Sequence, residues 1–158
     1  MNNKILNIKD AIKVSQKLRK QNKSIVLVGG FFDILHTGHI KFLQNAKKQG
    51  DYLFVFLEDD RKARKTKGPK RPINSQKDRA KILSTLRSVD YVIMLKNMTN
   101  DNQYDKIIVQ IAPAIIATTY ADPYINHKKR QAKLVGGKIM FVIQRHDNYS
   151  TSKLINKI

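Results

Sequence analysis

The sequence predicts an α/β fold: a five-stranded parallel sheet with helices on both faces. Apolar segments of strand length alternate with segments of helical period along the whole chain, and that alternation favours parallel pairing through helical crossovers. The strand segments are almost wholly apolar, Tyr52 to Leu57 (YLFVFL) most clearly, as strands covered on both sides must be. No internal repeat, low-complexity tract or linker divides the 158 residues, so a single domain spanning 1–158 is expected.

Each element has a local reason. Ala11, Val14 and Leu18 lie at i, i+3 and i+7 and predict an opening helix from Asp10 to Arg19, ahead of a first strand from Ser24 to Val28. Gly29-Gly30 turns the chain, and a helix is expected from Thr37 to Gly50, the latter a suitable terminating glycine. The second strand, Tyr52 to Leu57, is followed by the densest basic run, Arg61 to Arg71 (RKARKTKGPKR), whose Gly68 and Pro69 predict a mobile loop. Asn74 or Ser75 then caps a helix carrying Arg79, Leu83 and Leu86, and Tyr91 to Leu95 makes the third strand. Tyr104, Ile107, Ile108 and Ile111 predict the next helix, Ala114 to Ala117 a short fourth strand, and Asn126 to Leu134 a basic helix. Gly136-Gly137 turns into the fifth strand, Lys138 to Ile143, and Ser150 to Ile158 closes the chain as a helix.

Composition narrows the class of protein. The absence of cysteine excludes a disulfide framework, a thiolate nucleophile and a cysteine-ligated zinc. The first residues form no sustained apolar segment and no membrane-length apolar run follows, so a soluble cytoplasmic protein with no membrane contact is expected. The formal charge of +19 raises a competing class, a noncatalytic basic nucleic-acid-binding protein. That class ranks second, because the cations are spread over the chain and no aromatic residues interleave with the basic run as a stacking surface requires.

In open α/β sheets ligands bind beyond the carboxyl ends of the strands. The candidate residues all fall at such ends: His36 and His39 after the first strand, Asp60 and Lys67 after the second, Arg145 with Ser150, Thr151 and Ser152 after the fifth. His36-Thr37-Gly38-His39 stands at a helix start, where free N–H groups and the helix dipole favour a phosphate, and two histidines three residues apart point at one spot. Nucleotidyl transfer requires alignment of attacker, α-phosphorus and leaving pyrophosphate while charge is neutralised, a task suited to imidazole N–H donors, Lys67, Arg145 and a Mg²⁺ ion. Of the three consecutive hydroxyls at 150–152, capping accounts for one, and the others are free to hold phosphates. Asp33 places a carboxylate near the histidines or braces their loop.

Gly30 to His39 (GFFDILHTGH) resembles the G-x-F-D-x-x-H-x-G-H signature of the cytidylyltransferase-like nucleotidylyltransferases. Lys67-Gly68-Pro69, Arg71-Pro72-Ile73-Asn74, Asp78-Arg79 and Val89-Asp90-Tyr91-Val92 are similar to the adenylyltransferase domain of heptose-1-phosphate adenylyltransferases. Arg145 followed by Ser150-Thr151-Ser152 resembles an element of glycerol-3-phosphate cytidylyltransferases and FAD-synthase-like enzymes, the alternative activities. The resemblance implies a Rossmann-like fold and Mg²⁺-dependent attack of a small phosphorylated acceptor on the α-phosphorus of ATP or CTP. It further implies transition-state stabilisation by His36 and His39, phosphate contacts from Lys67 and Arg145, and a triphosphate cradle at Ser150 to Ser152. Gly30, Phe31, Phe32, Asp33 and Gly38 would line the nucleotide site, Asp60 and Arg79 would serve the acceptor, and the protein would be a homodimer. One segment departs from the heptose enzymes: after the fourth strand they carry a lysine, two glycines, an aspartate and an aromatic, where this chain has Ala117-Thr118-Thr119-Tyr120-Ala121. Phe31 is also bulkier than its usual counterpart. The base and the acceptor are therefore left open by the resemblance.

Overall fold

The computed structural model describes residues 3–144 and 150–158. Its sheet is parallel throughout and has six strands in the order β1-β4-β3-β2-β5-β6. The strands are β1 (Ile5–Leu6), β2 (Ile25–Gly30), β3 (Tyr52–Leu57), β4 (Tyr91–Met94), β5 (Ile115–Thr119) and β6 (Lys138–Ile143). The helices are α1 (Ile8–Lys20), α2 (Thr37–Lys47), α3 (Asp60–Lys67), α4 (Gln76–Ser84), α5 (Asp101–Ile111), α6 (Ile125–Leu134) and α7 (Thr151–Ile155). After β2 the chain adds β3 and β4 on one side, then crosses to place β5 on the other, so the strand order reverses beside β2. A ligand crevice forms at such a reversal.

Strand alternation divides the core into two layers. Ile25, Leu27, Phe54, Phe56 and Ile93 pack with Ala11 and Leu18 of α1 and Ile107, Ile108 and Ile111 of α5. Their neighbours Val26, Val28, Leu53, Val55, Leu57 and Val92 pack instead with Leu43 and Ala46 of α2 and Ala80 and Leu83 of α4. Both faces of each central strand are covered, which is why YLFVFL carries no polar alternation.

Three expectations need correction. The sheet has a sixth strand, β1: Ile5 and Leu6 stand opposite Val92 and Ile93, and the Val92 N–H donates to Lys4 O at 2.8 Å. Two residues are too few to show a period, and only the exposed edge of β4 makes a strand of them. The basic run is not a loop through its length: 60–67 form α3, because Asp59 accepts from Lys62 N at 2.8 Å as an N-cap and Gly68, at φ 111, ends the helix. Ala63 is the buried residue on which α3 rests. The closing helix is shorter than expected, ending at Ile155. Among the described residues no helix is long and apolar enough to cross a membrane.

Candidate active site

The turn after β2 is built by close approach. A Cβ on Gly30 would lie 2.9 Å from Cε2 of Phe32, so glycine is what allows the Phe32 ring to fold back there. Phe32 sits at φ 47, a left-handed conformation uncommon outside glycine, and its buried ring lies 5.3 Å from the His39 ring. His36 is the N-cap of α2 in extended conformation and makes no side-chain cap, so its side chain leaves the first N–H groups of the helix uncapped. Gly38 and His39 follow in the first turn.

The two imidazoles stack, with ring centroids 3.8 Å apart and planes 25° from parallel. Two positive charges at that separation would repel by about 4 kcal/mol even with near-surface screening. Burial lowers the pKa of His36, while burial and the neighbouring His36 push His39 down to about 4. Both rings are therefore neutral near pH 7, each with one N–H donor. Nδ1 of His39 is buried without a hydrogen-bond partner among the described residues. Such an atom costs about 1–3 kcal/mol and is characteristic of functional sites.

This arrangement predicts an acid-sensitive fold. Because the His39 pKa is lower folded than unfolded, the unfolded chain binds a proton first, and stability present above pH 6.5 is lost as pH falls towards about 4. The loss for His39 is up to about 3 kcal/mol. Glu58, whose pKa is raised by burial, acts in the opposite sense over part of this range. Urea unfolding between pH 7 and 4.5 should show a steeper decline in wild type than in His39→Gln; equal slopes would rule out the buried neutral imidazole.

Asp33 is a brace. It is 3% exposed, and its carboxylate accepts from Arg71 Nε at 2.7 Å, Ile73 N at 2.9 Å and Asn74 N at 3.0 Å. Burial alone would raise its pKa, but the backbone donors of Asn74 and Ile73 and the Arg71 guanidinium hold it below the usual range. The histidine loop is thereby tied to the 71–74 segment. Ser75, not Asn74, caps α4.

The far wall is α7. Ser150 is its N-cap, accepting from Lys153 N at 3.1 Å. Thr151 Oγ1 donates to Ile34 O at 3.0 Å, and Ser152 Oγ accepts from Arg71 Nη1 at 3.3 Å. The first and last turns of the site thus meet through hydroxyls that capping does not use. Lys67, exposed at the end of α3, holds its ammonium 5.8 Å from the centre of the Phe31 ring. Arg145 lies outside the described residues.

Asp60 and Arg79, expected on the acceptor side, are paired with each other at 2.7 Å. Arg79 is 1% exposed and also donates to the carbonyls of Phe31, Glu58 (3.0 Å) and Asn74 (3.1 Å). Its guanidinium locks the loop after β2 to the end of β3. Thr118 of the atypical segment joins a network centred on Asp122, which accepts from Thr118 Oγ1 and Lys128 Nζ, both at 2.5 Å, and from Tyr124 N at 2.8 Å. Tyr120 stacks on Phe141 at 4.9 Å.

The cytidylyltransferase-like family model matches residues 27–157, which takes in the stacked histidines and the closing helix. The chain belongs to the cytidylyltransferase-like family. It is 39% identical over 146 residues to bifunctional protein HldE of Helicobacter pylori strain J99, covering 92% of this chain and 30% of that protein. It is 35% identical over 157 residues to bifunctional protein HldE of Pseudomonas fluorescens strain SBW25, covering 98% of this chain and 32% of that protein. The chain therefore spans less than a third of the length of these relatives. Among solved structures, the lipopolysaccharide core biosynthesis protein of Thermoplasma volcanium GSS1 is similar, with TM-score 0.61 and 30% identity, covering 81% of this chain and 99% of that one. Arg71, which contacts Asp33 and Ser152, is not among the candidate residues of the sequence, although it stands in the Arg71-Pro72-Ile73-Asn74 motif.

Proposed function

We propose that residues 1–158 act as one nucleotidylyltransferase domain. It transfers AMP, or CMP, from a nucleoside triphosphate to a small phosphorylated acceptor such as a sugar phosphate, and releases pyrophosphate. Heptose 1-phosphate and ATP are the substrates suggested by the sequence resemblance, and the HldE relatives support that direction. The observation that carries the proposal is the pair of stacked imidazoles at the start of α2, where His36 makes no side-chain cap.

In the proposed reaction an acceptor phosphate oxygen forms a bond to the α-phosphorus. The bond from that phosphorus to the bridging oxygen breaks, and pyrophosphate leaves with the electron pair. His36 and His39 donate N–H bonds to the charge developing on the α-phosphoryl oxygens, and the α2 start adds its dipole. Lys67 neutralises the outer phosphates. Ser150 to Ser152 close the cup from the α7 side.

Magnesium enters this proposal as the counter-ion of the triphosphate. Among the described residues no three histidines or carboxylates are grouped to hold a metal, and the Asp33 carboxylate is filled by N–H donors. The homodimer and cytoplasmic setting implied by the resemblance belong to the same proposal.

The test is pyrophosphate release with ATP and CTP against sugar 1-phosphates, glycerol 3-phosphate and FMN. Release that depends on one triphosphate and one acceptor is expected, and ATP with a sugar 1-phosphate should give the highest rate. No release with any pair, together with oligonucleotide affinity that falls linearly in log salt, would replace this reading with that of a nucleic-acid-binding protein.

A further inference from the structure

Arg71 stands where three segments meet. Its Nε donates to Asp33 Oδ2 at 2.7 Å, and Nη1 donates to Ser152 Oγ at 3.3 Å. Asp33 is three residues before His36, and Ser152 is the second residue of α7, whose Thr151 is tied to Ile34. The guanidinium therefore bridges the two walls of the cup.

Among the described residues its bonding is sparser than that of Arg79. Arg79, 1% exposed, has three carbonyls and a carboxylate around it. The Arg71 side chain is only 12% exposed, yet of its five N–H donors one is strongly used and one makes a long bond to a neutral hydroxyl. Its one anionic partner among the described residues, Asp33, is shared with two backbone donors. Fixing the Nε edge on a buried carboxylate leaves the Nη edge oriented and under-used, an arrangement suited to planar, forked recognition of phosphate oxygens.

We propose that Arg71 is a phosphate-gripping residue of this cup, held by Asp33, and that its Nη edge exchanges the Ser152 hydroxyl for oxygens of the bound triphosphate. The proposal rests on the function above only in taking the ligand to be a polyphosphate.

Calorimetric titration of the full chain with inorganic tripolyphosphate and with ATP tests it, alongside thermal melts. Arg71→Gln should weaken both ligands by a similar factor of about 10- to 100-fold, the worth of a charge-assisted contact. Arg71→Lys, which keeps the charge without the fork, should fall between. Tripolyphosphate affinity of Arg71→Gln within twofold of wild type overturns the proposal, as does wild type that binds no tripolyphosphate. If Arg71→Gln does not fold, Arg71→Lys decides: weaker tripolyphosphate binding supports the grip and wild-type affinity removes it. Intact tripolyphosphate binding without pyrophosphate release would sink the transfer reaction while leaving the Arg71 assignment standing.

Discussion

Replacing His39 with alanine is expected to lower the rate of pyrophosphate release by ~100-fold or more, while triphosphate affinity changes only a few-fold. An N–H donor aimed at charge that develops during transfer contributes to the transition state more than to the ground state, and removing one such donor typically costs that much. The imidazole is well suited to this, because Phe32 backs it at 5.3 Å and His36 stacks on it at 3.8 Å, so little reorganisation remains when charge develops. Single-turnover rates with saturating triphosphate, compared with binding constants for the same variant, separate the two effects. A variant that retains a tenth of the wild-type rate would show that the imidazole is structural. So would a loss confined to affinity.

The second large effect concerns stability. Arg79→Ala is expected to destabilise the fold by roughly 3–5 kcal/mol, because it removes a fully buried guanidinium and leaves several acceptors without their donor at about 1–3 kcal/mol each. The substitution strips hydrogen bonds from the carbonyls of Phe31, Glu58 and Asn74 and leaves the Asp60 carboxylate unpaired. At ~2–4 °C per kcal/mol for a chain of this size, the melting temperature should fall by about 6–20 °C. Urea unfolding of Arg79→Ala, Asp60→Asn and the double variant measures how much of the loss belongs to the pair. A destabilisation under 1 kcal/mol would mean that the guanidinium is not the staple its contacts describe.

These two residues differ in how far the sequence could disclose them. His36 and His39 are three positions apart at a helix start, so a local rule placed them together, and the structure adds the stacking distance. Arg79 sits on a helix whose other face is solvent, and its position in the chain gives no sign that the carbonyls of Phe31 and Glu58, from two other segments, approach it. Asp33 was legible as either a brace or a ligand-facing carboxylate; only the approach of the 71–74 segment filled it with donors. The hydroxyls at 150–152 divide the same way. Capping by Ser150 is local, whereas the partners of Thr151 and Ser152 lie 117 and 81 residues away.

The missed secondary structure has two separate causes. Helix α3 carried its own local signals, Asp59 as cap and Gly68 as terminator, but a run of cations with one small buried residue, Ala63, shows almost no apolar face to read. Strand β1 carried no local signal, since two residues cannot display a period and their strand state is conferred by β4.

The sequence by itself determined the α/β class, the strands buried on both faces and the histidine pair at the start of α2. Each of these depends on neighbours within about one helical turn or one strand, a range over which side-chain period and capping chemistry act. Tertiary structure alone decided the sixth strand, the burial of Arg79 and the meeting of Arg71 with Asp33 and Ser152. Those depend on which chain segments the sheet order brings side by side, and hydrogen bonds between groups scores of residues apart leave no period or spacing in the chain.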